Sequence, residues 1–173
     1  MAILSARVPG AHIGTYAEAM VGAYFTKLIG QGDTIPFNLT STDFTAAMLA
    51  LQAGACTIQA DSKVAKGTSG QPCFGKIVQL DDKDGGGALD AAKVAINGIH
   101  EFQYTGTLVA GQFAVVNGAG LLIQAPAMAS DDIINAGWSS LDDSAIVLPS
   151  NVQVIGVADA TVDSKYYCLA IIR

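Results

Sequence analysis

The chain has 173 residues, 51% of them hydrophobic and only 14% charged, with a formal net charge of −6. A typical globular domain carries about 25% charged residues, so a lone monomer of this composition would expose apolar surface, the usual mark of an interface. Nine Lys and Arg argue against nucleic acid, which needs clustered cations; Lys63, Lys66 and Lys76 come closest to a cluster.

Residues 1–14 hold Pro9, Gly10 and Gly14, show no periodicity and read as an extended arm. They lack a long apolar core with a cleavage site behind it, so no signal peptide is expected. A capping box follows, Thr15 with Glu18, in which each side chain satisfies the other residue's backbone amide. Ala17, Met20, Val21, Tyr24, Phe25 and Leu28 recur at helical spacing, and Gly30 is placed to end the helix. Asn38-Leu39-Thr40 matches a glycosylation acceptor by chance. A second short helix is expected from Asp43 to about Ala50, capped by Thr42, with Phe44, Ala47, Met48 and Leu51 as its buried stripe.

From about residue 55 the texture turns to short β-type runs separated by Gly, Asn and Asp. Strands are expected near Cys56–Gln59, Phe74–Leu80, Lys93–Tyr104, Phe113–Val116, Leu121–Gln124, Val152–Ala158 and Tyr166–Ile172. Asp81–Gly87 reads as a glycine-rich loop, and Asn117-Gly118 has hairpin chemistry, since it tolerates positive φ. The fold class is mainly β: a small β-barrel or sandwich of hairpins with an N-terminal arm and one or two short helices. Residues 1–50 form the arm and helical segment; residues 51–173 form the β domain, with an insertion at about 125–150 that carries Trp138. That tryptophan is either an anchor against a neighbouring subunit or a plug over the protein's own core.

A faint internal repeat runs through the β region. Leu51-Gln52-Ala53-Gly54 before Cys56-Thr57-Ile58 matches Leu108-Val109-Ala110-Gly111 before Phe113-Ala114-Val115. Phe74-Gly75-Lys76-Ile77-Val78 matches Ile155-Gly156-Val157. If the repeat holds, the second helix must end before Leu51.

The inventory for chemistry is thin, and no catalytic, cofactor-binding or metal-ligating residue is assigned. His12 lies in the arm; His100 adjoins Glu101, but strand neighbours point to opposite faces. Cys56, Cys73 and Cys168 have no Cys-x-x-Cys spacing and read as reduced, largely buried thiols. Asp81-Asp82-Lys83-Asp84-Gly85 lacks the ligand pattern of a calcium loop; Asp131-Asp132 and Asp142-Asp143 read as solvated loop carboxylates. No run approaches the roughly 18–20 apolar residues of a membrane helix.

The segment Tyr104-Thr-Gly-Thr-Leu-Val-Ala-Gly-Gln-Phe-Ala-Val-Val-Asn-Gly-Ala-Gly-Leu, with Val152-Gln-Val-Ile-Gly-Val-Ala beyond it, resembles small bacteriophage capsid decoration (cement) proteins. There, a leucine-to-Ala-Gly entry leads into a strand, an Asn-Gly or Asp-Gly hairpin and a returning Val-x-Gly-Val strand. The resemblance covers about residues 51–173; residues 1–50 and the insertion at 125–150 depart from it. It implies a non-enzymatic virion structural protein without cofactors. Such a protein assembles in the host cytoplasm, binds the major capsid protein on the capsid exterior as a homo-oligomer, often a trimer, and contacts neither nucleic acid nor membrane. The alternatives are another virion part (tail tube, head fibre or minor coat component) or a cellular self-assembling or ligand-binding β module.

Overall fold

The computed structural model describes residues 29–39, 43–59, 62–83, 85–126, 150–158 and 161–173. The expected arm, the helix from Thr15, Thr42, and the part of the insertion that holds Trp138 and both Asp-Asp pairs lie outside these residues.

Among the described residues, ten strands form two closed five-stranded barrels. The first is built from β1 (Thr34–Leu39), β2 (Ala55–Gln59), β3 (Lys63–Ala65), β4 (Gly75–Asp81) and β5 (Ala91–Ala95). The second uses β6 (Gly98–Tyr104), β7 (Phe113–Val116), β8 (Leu122–Gln124), β9 (Val152–Val157) and β10 (Tyr166–Ile172). Barrel 1 therefore begins at Thr34, inside residues 1–50, which the sequence reading gave to the arm and helical segment, and β1 and β3 were not anticipated. The fold is β-barrel, doubled.

The two barrels share one topology. Around barrel 1 the order is β1-β3-β2-β4-β5, and around barrel 2 it is β6-β8-β7-β9-β10; in each the first and third strands run parallel. The registers coincide as well. Ala55 faces Lys76 as Phe113 faces Gln153, Thr57 faces Ala65 as Val115 faces Ile123, and Ile35 faces Val94 as His100 faces Ala170. Even the irregularity recurs: the ladder skips Val78 in β4 and Ile155 in β9. The internal repeat is therefore a repeated barrel, but the alignment read from sequence is shifted. It set Cys56 on Phe113, where the register sets Ala55, and it set Gly75 on Gly156, where the register sets Val152.

The expected single strand Lys93–Tyr104 is two strands belonging to different barrels. Ile96 and Asn97 link them, and Asp33 clasps the link: Asn97 Nδ2 donates to Asp33 Oδ2 at 2.7 Å, and the Asp33 amide donates to Asn97 Oδ1 at 2.6 Å. Gly98 then turns with φ +95, and a Cβ there would stand 2.1 Å from the Gln31 carbonyl oxygen. Only glycine fits such a place.

Narrow barrels explain much of the alanine content. Eight strands give a lumen just wide enough for ordinary side chains, so five strands leave room mainly for small ones. Ala92 and Cys56 are accordingly buried in the core of barrel 1, and Ala114, Ala170 and Cys168 in that of barrel 2, while Ala55 and Ala95 of barrel 1 pack against the barrel 2 cluster. In β10, Cys168, Ala170 and Ile172 fill the core of barrel 2, while Tyr167 and Leu169 pack on the opposite face with Ile29. Burial on both faces removes polar alternation from the strand.

Among the described residues one short helix, α1 (Ala46–Ala50), packs on barrel 1. Its cap is Thr45, whose Oγ1 accepts from the Met48 amide at 3.2 Å, not Thr42. Phe44 and Leu49 are buried beneath it, but Ala47 is exposed rather than part of the stripe. The helix stops at Ala50, which leaves Leu51–Gly54 free to lead into β2.

Candidate interaction surface

The barrels meet along a seam that carries most of the buried polarity. Lys76, on β4, is buried and passes from barrel 1 to barrel 2, where its Nζ donates to the Glu101 carbonyl and to Gln52 Oε1. The ammonium also lies 5.2 Å from the centroid of the Phe102 ring, within reach of a cation–π attraction. Lys63 is exposed and Lys66 half-buried, so the three lysines do not form a cationic patch.

Gln52, Lys76, His100 and Glu101 line a cavity of about 130 Å³ at this seam. His100 and Glu101, neighbours on β6, both line this cavity, and Glu101 presents its main-chain carbonyl to Lys76. His100 Nε2 faces the Asn97 carbonyl at 2.9 Å, and since a carbonyl only accepts, this nitrogen carries the proton. Burial, aided by the Lys76 charge and opposed by the Asn97 bond, lowers the His100 pKa from 6.5 to about 4. The imidazole is neutral at pH 7.

The three thiols are inert for the same reason. Burial raises the pKa of Cys56 well above its ordinary value, raises that of Cys73 to about 12, and raises that of Cys168 further. Cys56 and Cys73 both direct their S–H to the Gly75 carbonyl, at 3.3 and 3.4 Å, and all three cysteines are free. A thiol held protonated is a poor nucleophile and a poor metal ligand.

The acidic loop after β4 is organised by its own backbone. Asp82 accepts from the amides of Gly85 and Gly87 at 2.7 and 2.6 Å, and Asp90 accepts from the Lys83 amide at 2.9 Å. These bonds occupy carboxylate oxygens that a calcium ion would need. Among the described residues no three His, Cys, Asp or Glu side chains are grouped to hold a metal, and no helix is long and apolar enough to cross a membrane.

The Asn117 turn joins the two barrels. It is longer than the tight hairpin read from sequence: Asn117 and Leu121 close it, Gly118 and Gly120 take positive φ, and Asn117 Oδ1 accepts from Ala119 and Leu121. The Gly120 carbonyl then accepts from the Ala55 amide of barrel 1 at 2.9 Å.

The outer surface carries the remaining signal. Ile35, Ile58, Val109 and Tyr166 stand on or beside barrel strands with 41–52% of their surface exposed. Ile58 borders a groove of about 270 Å³ with Thr57, Pro72, Phe74 and Asn151. A wider groove of about 550 Å³ runs past Phe37, Ser62 and Asp82. Comparison with protein-family models and with curated proteins finds no match for the chain.

Proposed function

We propose that this is a non-enzymatic virion structural protein that binds the outside of a bacteriophage capsid and stabilises contacts between coat subunits. The observation that carries the reading is the set of large apolar side chains, Ile35, Ile58, Val109 and Tyr166, held half-exposed on closed barrels. Closed barrels leave no free sheet edge to aggregate, so these side chains are presented on a rigid frame. Covering these side chains with a protein partner would remove their apolar surface from water. The sparse charge of the chain, 14%, supports contact with protein rather than with the genome. The partner is the major capsid protein, and a homo-oligomer, with a trimer favoured, is the assembling unit on the capsid exterior.

Co-sedimentation with empty shells of the major coat protein from the same source genome tests the reading. Saturable binding at a fixed ratio per coat subunit is expected, and that ratio identifies the symmetry position occupied. A well-folded protein that fails to bind expanded shells overturns it in favour of a tail part or a cellular β module.

A further inference from the structure

Gln52 is an unusual residue for its place. It follows the end of α1, where its amide donates to the Leu49 carbonyl at 3.0 Å and the Ala53 amide donates to the Met48 carbonyl at 2.9 Å. This pair of bonds closes a helix on a left-handed residue, most often glycine. Gln52 takes that conformation, with φ 61, at a cost that glycine would avoid. An outlier of this kind marks a role for the side chain.

That side chain spans the seam. Gln52 is 1% exposed; its carbonyl accepts from the Gln103 amide of barrel 2 at 3.1 Å, and its Oε1 accepts from the Lys76 ammonium. An ammonium only donates, so the orientation of the carboxamide is fixed and Nε2 is the end that Lys76 does not hold. Nε2 is buried and has no hydrogen-bond partner. Buried polar groups are nearly always paired, and the cavity that Gln52 lines is the space in which a partner fits.

His100 lines the same cavity with the complementary need. Its Nε2 carries the proton that the Asn97 carbonyl accepts, so Nδ1 is an acceptor, and among the described residues nothing donates to it. An anion would satisfy Gln52 but meet the Nδ1 lone pair. A cation would suit Nδ1 but meet the Gln52 amide protons and the Lys76 charge. A hydroxyl group both accepts and donates. The volume of about 130 Å³ is ample, since one water occupies only about 10–15 Å³ of such space. Gly30 and Thr34 also line the cavity and are exposed, so it opens to solvent on their side.

We propose that the seam cavity is a binding site for a neutral hydroxyl group, which accepts from Gln52 Nε2 and donates to His100 Nδ1. Solvent water and a small diol share this chemistry. In either case the bound group bridges the end of α1 to β6 and so joins barrel 1 to barrel 2. The site does not depend on coat binding.

The test is NMR on the whole nitrogen-15-labelled protein at pH 7, with ethylene glycol as the diol probe. Without glycol, rotating-frame cross-peaks from water to the Gln52 Nε2 protons are expected, with the sign that marks contact rather than proton exchange. If glycol shifts the Gln52 and His100 side-chain signals saturably, the diol takes the site; if the water cross-peaks persist at high glycol, water holds it. Absence of water contact together with no response to glycol overturns the proposal. Loss of the cross-peaks on adding sodium formate, where glycol leaves them in place, also overturns it and assigns the cavity to an anion. The nitrogen shift of His100 Nδ1 provides a second measurement. It should be that of a hydrogen-bonded acceptor, and a bare-acceptor shift rules the bridge out.

Discussion

Ser150 Oγ makes three hydrogen bonds in a buried site, accepting from the amides of Cys73 and Val152 at 3.2 Å each and donating to the Cys73 carbonyl at 3.3 Å. Cys73 and Ser150 hold the same place in their respective barrels, so one side chain ties the two copies together where they meet. Ser150→Ala strands the Cys73 amide away from water, at about 1–3 kcal/mol. Urea unfolding should show the loss as a lower midpoint with little change in slope, and Ser150→Thr should recover part of it.

His100 gives the protein an acid sensitivity of definite sign. Its pKa of about 4 in the folded state lies below the ordinary 6.5. Between those values the unfolded chain binds more protons, so stability is complete above about pH 6.5 and falls as pH drops towards 4. A depression of this size is worth on the order of 3 kcal/mol. The pH dependence of the urea midpoint, wild type minus His100→Gln, should show that slope. A flat difference would place the His100 pKa near 6.5.

Lys76 contributes to this depression, so Lys76→Met should raise the His100 pKa, readable by NMR titration of the ring. The same substitution leaves the Glu101 carbonyl without its ammonium donor and costs about 1–3 kcal/mol. An unmoved titration would show that burial alone sets the His100 pKa.

The thiols should be silent until the barrels open. At about pH 8, where an exposed cysteine is partly thiolate, a chromogenic disulfide reagent should label none of Cys56, Cys73 and Cys168 in the native protein. After denaturation it should label all three. Fast native labelling of any one would contradict the burial of that residue.

Gly98 and Gly111 separate conformational cost from collision. Both have positive φ, +95 and +92, but a Cβ meets the Gln31 carbonyl at Gly98 and open space at Gly111. Gly111→Ala should cost about 1–2 kcal/mol for the left-handed backbone alone. Gly98→Ala should exceed it clearly, since the clash is with backbone that cannot swing away. Thermal unfolding of the two variants compares them directly.

Ile35 and Val109 are exposed and lie outside the Ile58 groove, which makes them the cleanest probes of shell binding. Ile35→Ser and Val109→Ser should change stability by less than about 0.5 kcal/mol while weakening co-sedimentation with coat shells. Unaltered binding in both would move the contact to other faces.

Much of the strand content was legible because its signals are local. Phe113–Val116 and Tyr166–Ile172 match the structure end to end, since β-branched and aromatic runs between turn residues suffice to mark them. The break between β5 and β6 was not legible. Lys93–Tyr104 reads as one β-type run, and only the contacts of Asn97 with Asp33 and of Gly98 with Gln31 mark the break between the barrels. Likewise β3, three residues long, is a strand because β1 and β2 flank it.

The repeat shows where the division falls. Turn residues and glycines along the chain suggested a faint repeat of two similar units, which the strand pairing established. They could not set the register, because Ala55, Cys56 and Thr57 are all buried, as are Ala114, Val115 and Val116. Where both faces of a strand are buried, no polar alternation records which residue faces inward, and a one-residue slip goes unseen. Sequence by itself determined that the protein is built from short strands and small side chains, with its thiols reduced. Hydrogen-bonded pairing between distant strands decided that there are two barrels. It also decided that Lys76 and His100 are buried at their seam, and that Ile58 is left open where Val116 is covered.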